Sequence, residues 1–247
     1  MDPYYLTDTL YLHNDTMYDD LHKPLTQANW HHKSKSYGWN KLPRQWIRHL
    51  NTMSENPPKN SQFGVLDCPE DGDCFFHCIA NALTERDGYE TIHEAQDIRQ
   101  MLCDALTLEH FQCLISIYRC MKEVGDFQEQ WNPDDIHDIE DFKRVVLRGG
   151  HSYWGDHLLL QIICDILKIT LTILTYKGPE YRRETDPAIS VYPLLMEDNP
   201  GHAQVILLLV NECHFQLVGH FNGHRLISYF RDGVIPREIV NCASLTL

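Results

Sequence analysis

Apolar positions change their spacing along the chain. In CFFHCIANALTER, residues 74–86, Phe75, Cys78, Ile79 and Ala82 recur at helical spacing and predict a helix. Thr91-Ile92-His93-Glu94 reads as a capping box, with Thr91 as the cap and Glu94 at the third helical position. It is expected to open a helix running to about Leu108, with Ile98, Leu102, Ala105 and Leu106 on the buried stripe. Residues 110–130 continue a helical pattern, and 132–146 read as a polar loop followed by a short helix. HLLLQIICDILK, 157–168, pairs Leu158, Ile162 and Ile166 with Leu159, Ile163 and Leu167 on one broad face. Beyond it, ITLTILTY (169–176), QVILLLV (204–210), HFQLVG (214–219) and RLISYF (225–230) carry strand signals, and FNGHR is a hairpin turn between the last two. Helices dominate the first half and strands the second. The expectation is a layered α+β domain with helices packed around a mostly antiparallel sheet.

Residues 1–60 are rich in His, Asn, Tyr, Asp and Lys and have weak periodicity. Trp30, Trp39 and Trp46 suit this segment to packing on the main body. SENPPKNS, 54–61, with a proline pair among polar residues, is the best linker candidate. The expected organisation is an extension over 1–60, a domain over 61–232 and a tail over 233–247, with no internal repeat.

Charge narrows the function. Over 247 residues the formal net charge is −14. Phosphate contact needs clustered Lys and Arg, so nucleic acid is an unsuitable partner and a basic protein a suitable one. Nine cysteines, an odd number with no Cys-x-x-Cys pair, argue against a disulfide framework and for a reducing, cytoplasmic setting. MDPYYLTDTL has neither a basic n-region nor an apolar h-region, so no signal peptide is read there. The longest aliphatic run, VILLLV at 205–210, is far short of a membrane span. His220 and His224 have zinc-like spacing but no accompanying Cys-x-x-Cys, and Gly149-Gly150 matches no nucleotide-binding pattern. No metal, cofactor or membrane is expected.

EDGDCFFHC, 70–78, is different. Cys74 follows a polar glycine turn and begins a predicted helix. A helix N-terminus favours negative charge, which is expected to lower the thiol's pKa. The turn's amides have no helical partners and can converge on an oxyanion. A nucleophilic thiol needs a base, and His214, beginning a strand after the NEC turn, is best placed by context. Gln216 shares its strand face and is expected to hold the imidazole's tautomer. A single cysteine is more often a small core residue, and a single strand histidine is more often structural. Their joint presence favours chemistry.

These residues resemble the ovarian-tumour (OTU) family of cysteine proteases. The resemblance rests on Asp71-Gly72-Asp73-Cys74-Phe75-Phe76, on Trp154-Gly155-Asp156 leading into a helix, and on His214-Phe215, in the family's order over about residues 63–230. The wording of 214–230 looks most like OTU proteins encoded by large DNA viruses. The resemblance implies a papain-like OTU fold and a deubiquitinase without a cofactor. Cys74 would attack the carbonyl at ubiquitin's C-terminal glycine, with ubiquitin or polyubiquitin chains as partner. His214 would move the proton, and the amides of Asp71, Gly72, Asp73 and Cys74 would bind the oxyanion. Asp71 is counted with the active site, fixing the loop more than touching the histidine. Gly149, Gly150, Trp154 and Gly155 are the expected channel wall for the substrate's tail. At 216 the family commonly carries Asp or Asn, and this chain has Gln216. That departure keeps open a catalytically silent OTU fold that binds ubiquitin or a structural partner. A papain-like protease with other targets is a third reading, disfavoured by the lack of a Cys-Gly-Ser-Cys block.

Overall fold

The computed structural model describes residues 3–54, 61–127, 129–155, 157–181, 187–193, 202–231 and 235–244. The chain opens with a three-stranded antiparallel sheet of β1 (Tyr4–Thr7), β2 (Leu10–His13) and β3 (Thr16–Asp19). The short α1 (Trp30–Lys33), β4 (Trp39–Lys41), α2 (Arg44–Met53) and β5 (Phe63–Leu66) follow. Five helices come next: α3 (Cys74–Arg86), α4 (Ala95–Ala105), α5 (Leu108–Val124), α6 (Ile139–Arg148) and α7 (His157–Leu167). The chain then supplies β6 (Ile169–Tyr176), β7 (Ile189–Pro193), β8 (Ala203–Val210), β9 (His214–Phe221), β10 (Leu226–Ile227), β11 (Tyr229–Phe230) and α8 (Arg237–Ser244). Asp156 and most of the candidate linker at 54–61 lie outside the described residues, as does part of the expected tail.

The main sheet runs β4-β5-β9-β8-β6-β7, with β10 on β9 and β11 on β8. Every pair is antiparallel except β6 with β8. Both faces are covered, which explains why VILLLV does not alternate in polarity. Val205 and Leu207 of β8 join the core beneath α3 to α7, while Ile206 and Leu208 join a second core with Trp46 and Leu50 of α2 and Ile239 of α8. Residues before 55 contribute to both layers. Trp30, Trp39 and Trp46 are all buried. β4 pairs with β5, and the Trp46 indole N–H donates to Thr175 O at 2.8 Å on β6.

Three sequence expectations need correction. The cap before the second long helix is Glu94, not Thr91. The Glu94 carboxylate and Asp97 form the reciprocal box, and α4 starts at Ala95. The His93 amide donates to Thr84 Oγ1 at 2.9 Å and its ring contacts Asp87 at 2.7 Å, which holds the preceding residues off the helix. RLISYF is two short strands rather than one. Ser228 interrupts it because its amide donates at 2.6 Å to the buried Glu85 carboxylate instead of to a strand. The helix expected over 110–130 is α5, which stops when Gly125 turns left-handed at φ 82°.

Candidate active site

Cys74 is the first residue of α3 and is 8% exposed. Against it lies β9, antiparallel to β8 through a tight turn in which Asn211 and Glu212 take φ of 52° and 61°. Two successive left-handed residues match the right-handed twist of paired strands, and Asn tolerates that conformation well. The turn is pinned by the Asn211 amide donating to Tyr176 O at 2.8 Å and by Asn211 Oδ1 accepting from the Gly178 amide at 2.9 Å. It delivers His214, 8% exposed, at the start of β9. The next residue's amide, Phe215 N–H, donates to Cys74 Sγ at 3.4 Å. Phe215 and Phe75 meet edge to face at 5.5 Å, which holds helix and strand together beneath the sulfur. His214 Nε2 is buried and has no hydrogen-bond partner among the described residues.

The turn ahead of Cys74 is held from two sides. Asp71 Oδ1 accepts from the Asp73 amide at 2.9 Å, and Asp71 Oδ2 lies 3.2 Å from His77 Nε2. These contacts lower the Asp71 pKa despite an opposing desolvation contribution, which is the largest single influence. Asp71 is thus bonded to its own loop and to His77 one turn into α3. Asp73 faces the other way. Its Oδ1 accepts from Gly150 N–H at 3.0 Å and from Arg99 Nε at 2.9 Å, and it also pairs with Arg99 Nη2. Arg99 is fully buried on α4 and donates besides to Val146 O at 2.7 Å and Tyr153 O at 2.8 Å, with its guanidinium 3.9 Å above the Phe76 ring. One buried cation therefore ties the Cys74 turn to the loop carrying Gly149, Gly150 and Trp154. Gly72 closes that contact. At φ 90°, a Cβ there would sit 2.4 Å from the Gly150 carbonyl carbon.

A groove of about 800 Å³ passes over this junction, lined among others by Gly72, Cys74, Trp154, Gly155 and His214. Gly155 lies flat on Phe75, where a Cβ would come within 2.5 Å of the ring. Three carboxylates, Glu70, Glu129 and Glu212, also line it, and no Lys or Arg does among the described residues. No group of three or more described His, Cys, Asp or Glu side chains is arranged to hold a metal.

The OTU-like cysteine protease family matches residues 69–221 of this sequence. The chain belongs to that family. Among solved structures, this OTU chain is similar to the OTU protease of Dera Ghazi Khan virus, at 17% identity over 63% of this chain and 80% of that one, with a TM-score of 0.40. It is similar to the Hazara virus OTU bound to ubiquitin, at 16% identity over 66% and 81%, TM-score 0.37. It is also similar to an OTU deubiquitinase from Wolbachia pipientis wMel bound to ubiquitin, at 15% identity over 66% and 98%, TM-score 0.42. No curated protein matches the chain.

Within this OTU domain three sequence expectations come out differently. The Cys74 thiol is pushed up, not down: burial outweighs the amides of Phe215 and Phe75 that favour the thiolate. The Asp73 amide is taken by Asp71 and is not free for an oxyanion. Gln216 makes no hydrogen bond to His214; its amide N–H donates to Asp67 Oδ1 at 2.9 Å. Gly149, Gly150, Trp154 and Gly155 do come together with Cys74, with Gly149 and Gly150 behind the turn and Trp154 and Gly155 on the groove. Arg99 and Asp67 were missed by sequence reasoning. Arg99 had a signal, since it lies three and four residues before the buried Leu102 and Cys103 and so falls on the apolar stripe of α4. Asp67, exposed just past β5, had none.

No described helix is long and apolar enough to cross a membrane.

Proposed function

We propose that this OTU protein hydrolyses peptide and isopeptide bonds at the C-terminal glycine of ubiquitin, with Cys74 as nucleophile and His214 as base. The observation that carries this reading is the hydrogen bond from Phe215 N–H to Cys74 Sγ, which brings the two separated motifs together at the floor of one groove. Three carboxylates with no Lys or Arg among the described lining residues suit a basic tail, because carboxylates pair with guanidinium groups. The flat Trp154-Gly155 wall suits a tail ending in glycine.

With the thiol protonated at rest, His214 removes its proton as sulfur attacks the carbonyl carbon. The negative charge on the carbonyl oxygen falls to the amides of Gly72 and Cys74, since the Asp71 carboxylate takes the amides of Asp73 and of Asp71 itself. His214 then gives its proton to the departing lysine or peptide amine, and the carbon–nitrogen bond breaks to leave a thioester. Water attacks that thioester while His214 takes its proton; the carbon–sulfur bond breaks, releasing the carboxylate and restoring the thiol. Asp71 holds the turn through Asp73 and His77.

The raised thiol and the missing Gln216–His214 bond favour a second reading, an OTU fold that binds ubiquitin without cutting it. Ubiquitin bearing a C-terminal thiol-reactive group separates the two. Intact mass should show one ubiquitin added to the wild-type protein and none to Cys74→Ala. Binding without adduct in folded wild-type protein would establish the silent module instead.

A further inference from the structure

In this OTU chain the residue beside the base is Gln216, an uncharged amide, and its partner is an acid from another strand. β5 and β9 run antiparallel with Leu66 opposite Leu217. Asp67 therefore emerges beside Gln216, and Gln216 Nε2 donates to Asp67 Oδ1 at 2.9 Å. A carboxylate only accepts hydrogen bonds, so it selects the NH₂ end of the amide and turns the Gln216 Oε1 acceptor away from itself. His214 and Gln216 share one face of β9 by strand alternation. An imidazolium has two N–H donors, one for the substrate side and one needing an acceptor. His214 Nε2 has no partner among the described residues. Oε1 of Gln216 is the acceptor that the amide still has to offer on that face.

Asp67 is itself held firmly. Its backbone N–H donates to Gly38 O at 3.1 Å, at the turn that leads into β4. This anchor uses only the main chain, so replacing the side chain leaves it intact.

We propose that Asp67 is a positioning residue that acts through Gln216: it turns the amide so that Oε1 is the acceptor on offer to an imidazole N–H of His214, a bond absent at rest and made when the imidazolium forms, and it lends its charge to that imidazolium one hydrogen bond removed. The pair Asp67 and Gln216 thus does together what a single acid two residues after the histidine would do alone. The proposal rests on His214 being the base. The described titratable groups that line the groove with His214 are Cys74 from α3, Glu212 and Cys213 from its own turn, and Glu70, Glu129, His151 and Tyr181 from the other segments around it. Asp67 does not line that groove, so substrate binding should not sense it.

The test uses the full chain and a ubiquitin C-terminal fluorogenic amide, with kcat and KM followed across pH. Asp67→Asn keeps the shape but no longer dictates which end of the Gln216 amide faces it. It should lower kcat about fivefold, the scale of one solvent-exposed charge, at unchanged KM. The acidic limb of the profile should move about half a unit to lower pH, because His214 must be neutral to act as base and its imidazolium loses support. Asp67→Glu, which keeps the acceptor, should stay near wild type. In a Gln216→Ala background Asp67→Asn should cost nothing further. Wild-type kcat and limb position in Asp67→Asn, or losses that multiply in the double variant, would overturn the proposal. Failure of the protease reading looks different: wild-type protein would be inactive, or Cys74→Ala would match it. The His214 imidazole is then followed by NMR titration. A His214 midpoint about half a unit lower in Asp67→Asn supports the positioning role without turnover, and an unmoved midpoint refutes it.

Discussion

Removing the guanidinium of Arg99 should unfasten both halves of the site at once. Arg99 is fully buried and its partner Asp73 is 20% exposed at the side chain. The change Arg99→Ala leaves Asp73 with the Gly150 amide as its remaining cross-loop donor and leaves the carbonyls of Val146 and Tyr153 without their guanidinium donor. Breaking one partner of a buried ion pair costs about 3–5 kcal/mol, chiefly because the surviving charge is stranded. Against a typical total stability of about 5–15 kcal/mol, that is a large fraction. Urea unfolding of wild type and variant measures it directly. A double substitution isolates the cause. In Arg99→Met with Asp73→Asn no buried charge is stranded, so the double variant should be more stable than Arg99→Ala alone. A loss under about 1 kcal/mol for Arg99→Ala, or a double variant less stable than the single, would refute the stranded-charge argument.

Other consequences are open to equally direct measurement. Because burial raises the Cys74 thiol, its alkylation by iodoacetamide should keep accelerating as pH rises from 7 to 9, read as carboxamidomethylation of Cys74 by mass spectrometry; a rate already level at neutral pH would contradict this. Gly72→Ala combines a left-handed backbone with a methyl group 2.4 Å from Gly150, and should lower kcat at least about tenfold by parting the two loops; near-normal turnover would mean that the loops are not mutually braced. Burial lowers the His220 pKa from 6.5 to about 4. The unfolded chain therefore binds that proton more readily, and stability should fall as pH drops from 6.5 towards 4, by about 3 kcal/mol in total. The variant His220→Phe should flatten the fall in urea midpoint over that range, and an unchanged slope would assign it to other groups.

What could be read from sequence here was what local physics decides. Helical stripes located α3, α5 and α7, and alternation located β6 and β9, because each follows from a spacing within one segment. The turn before Cys74 was legible because Asp-Gly-Asp has few other uses. What escaped was decided by partners far along the chain. Thr91 carries a capping signal, but Thr84 and Asp87 restrain His93 and shift the helix start. Ser228 breaks a strand because Glu85, 143 residues earlier, claims its amide. The thiol shift reversed sign because a helix terminus is a local feature whereas burial under β9 is not. Asp67 carried no pattern at all; only the register of β5 against β9 gives it a role to test.

The contact between Phe215 and Cys74 spans 141 residues, and the inner neighbour of β5 in the sheet is β9. During synthesis the helix that carries Cys74 emerges long before the strand that completes its surroundings. Pairings of such separation close late and slowly. A ribosome-bound chain lacking β9 has a cysteine, a turn and several helices, but neither the amide that cradles the sulfur nor His214. The groove comes into being only when nearly the whole polypeptide is available. On the proposed reading, a chain that stops anywhere before residue 214 lacks the base and should be inactive without any dedicated inhibitor.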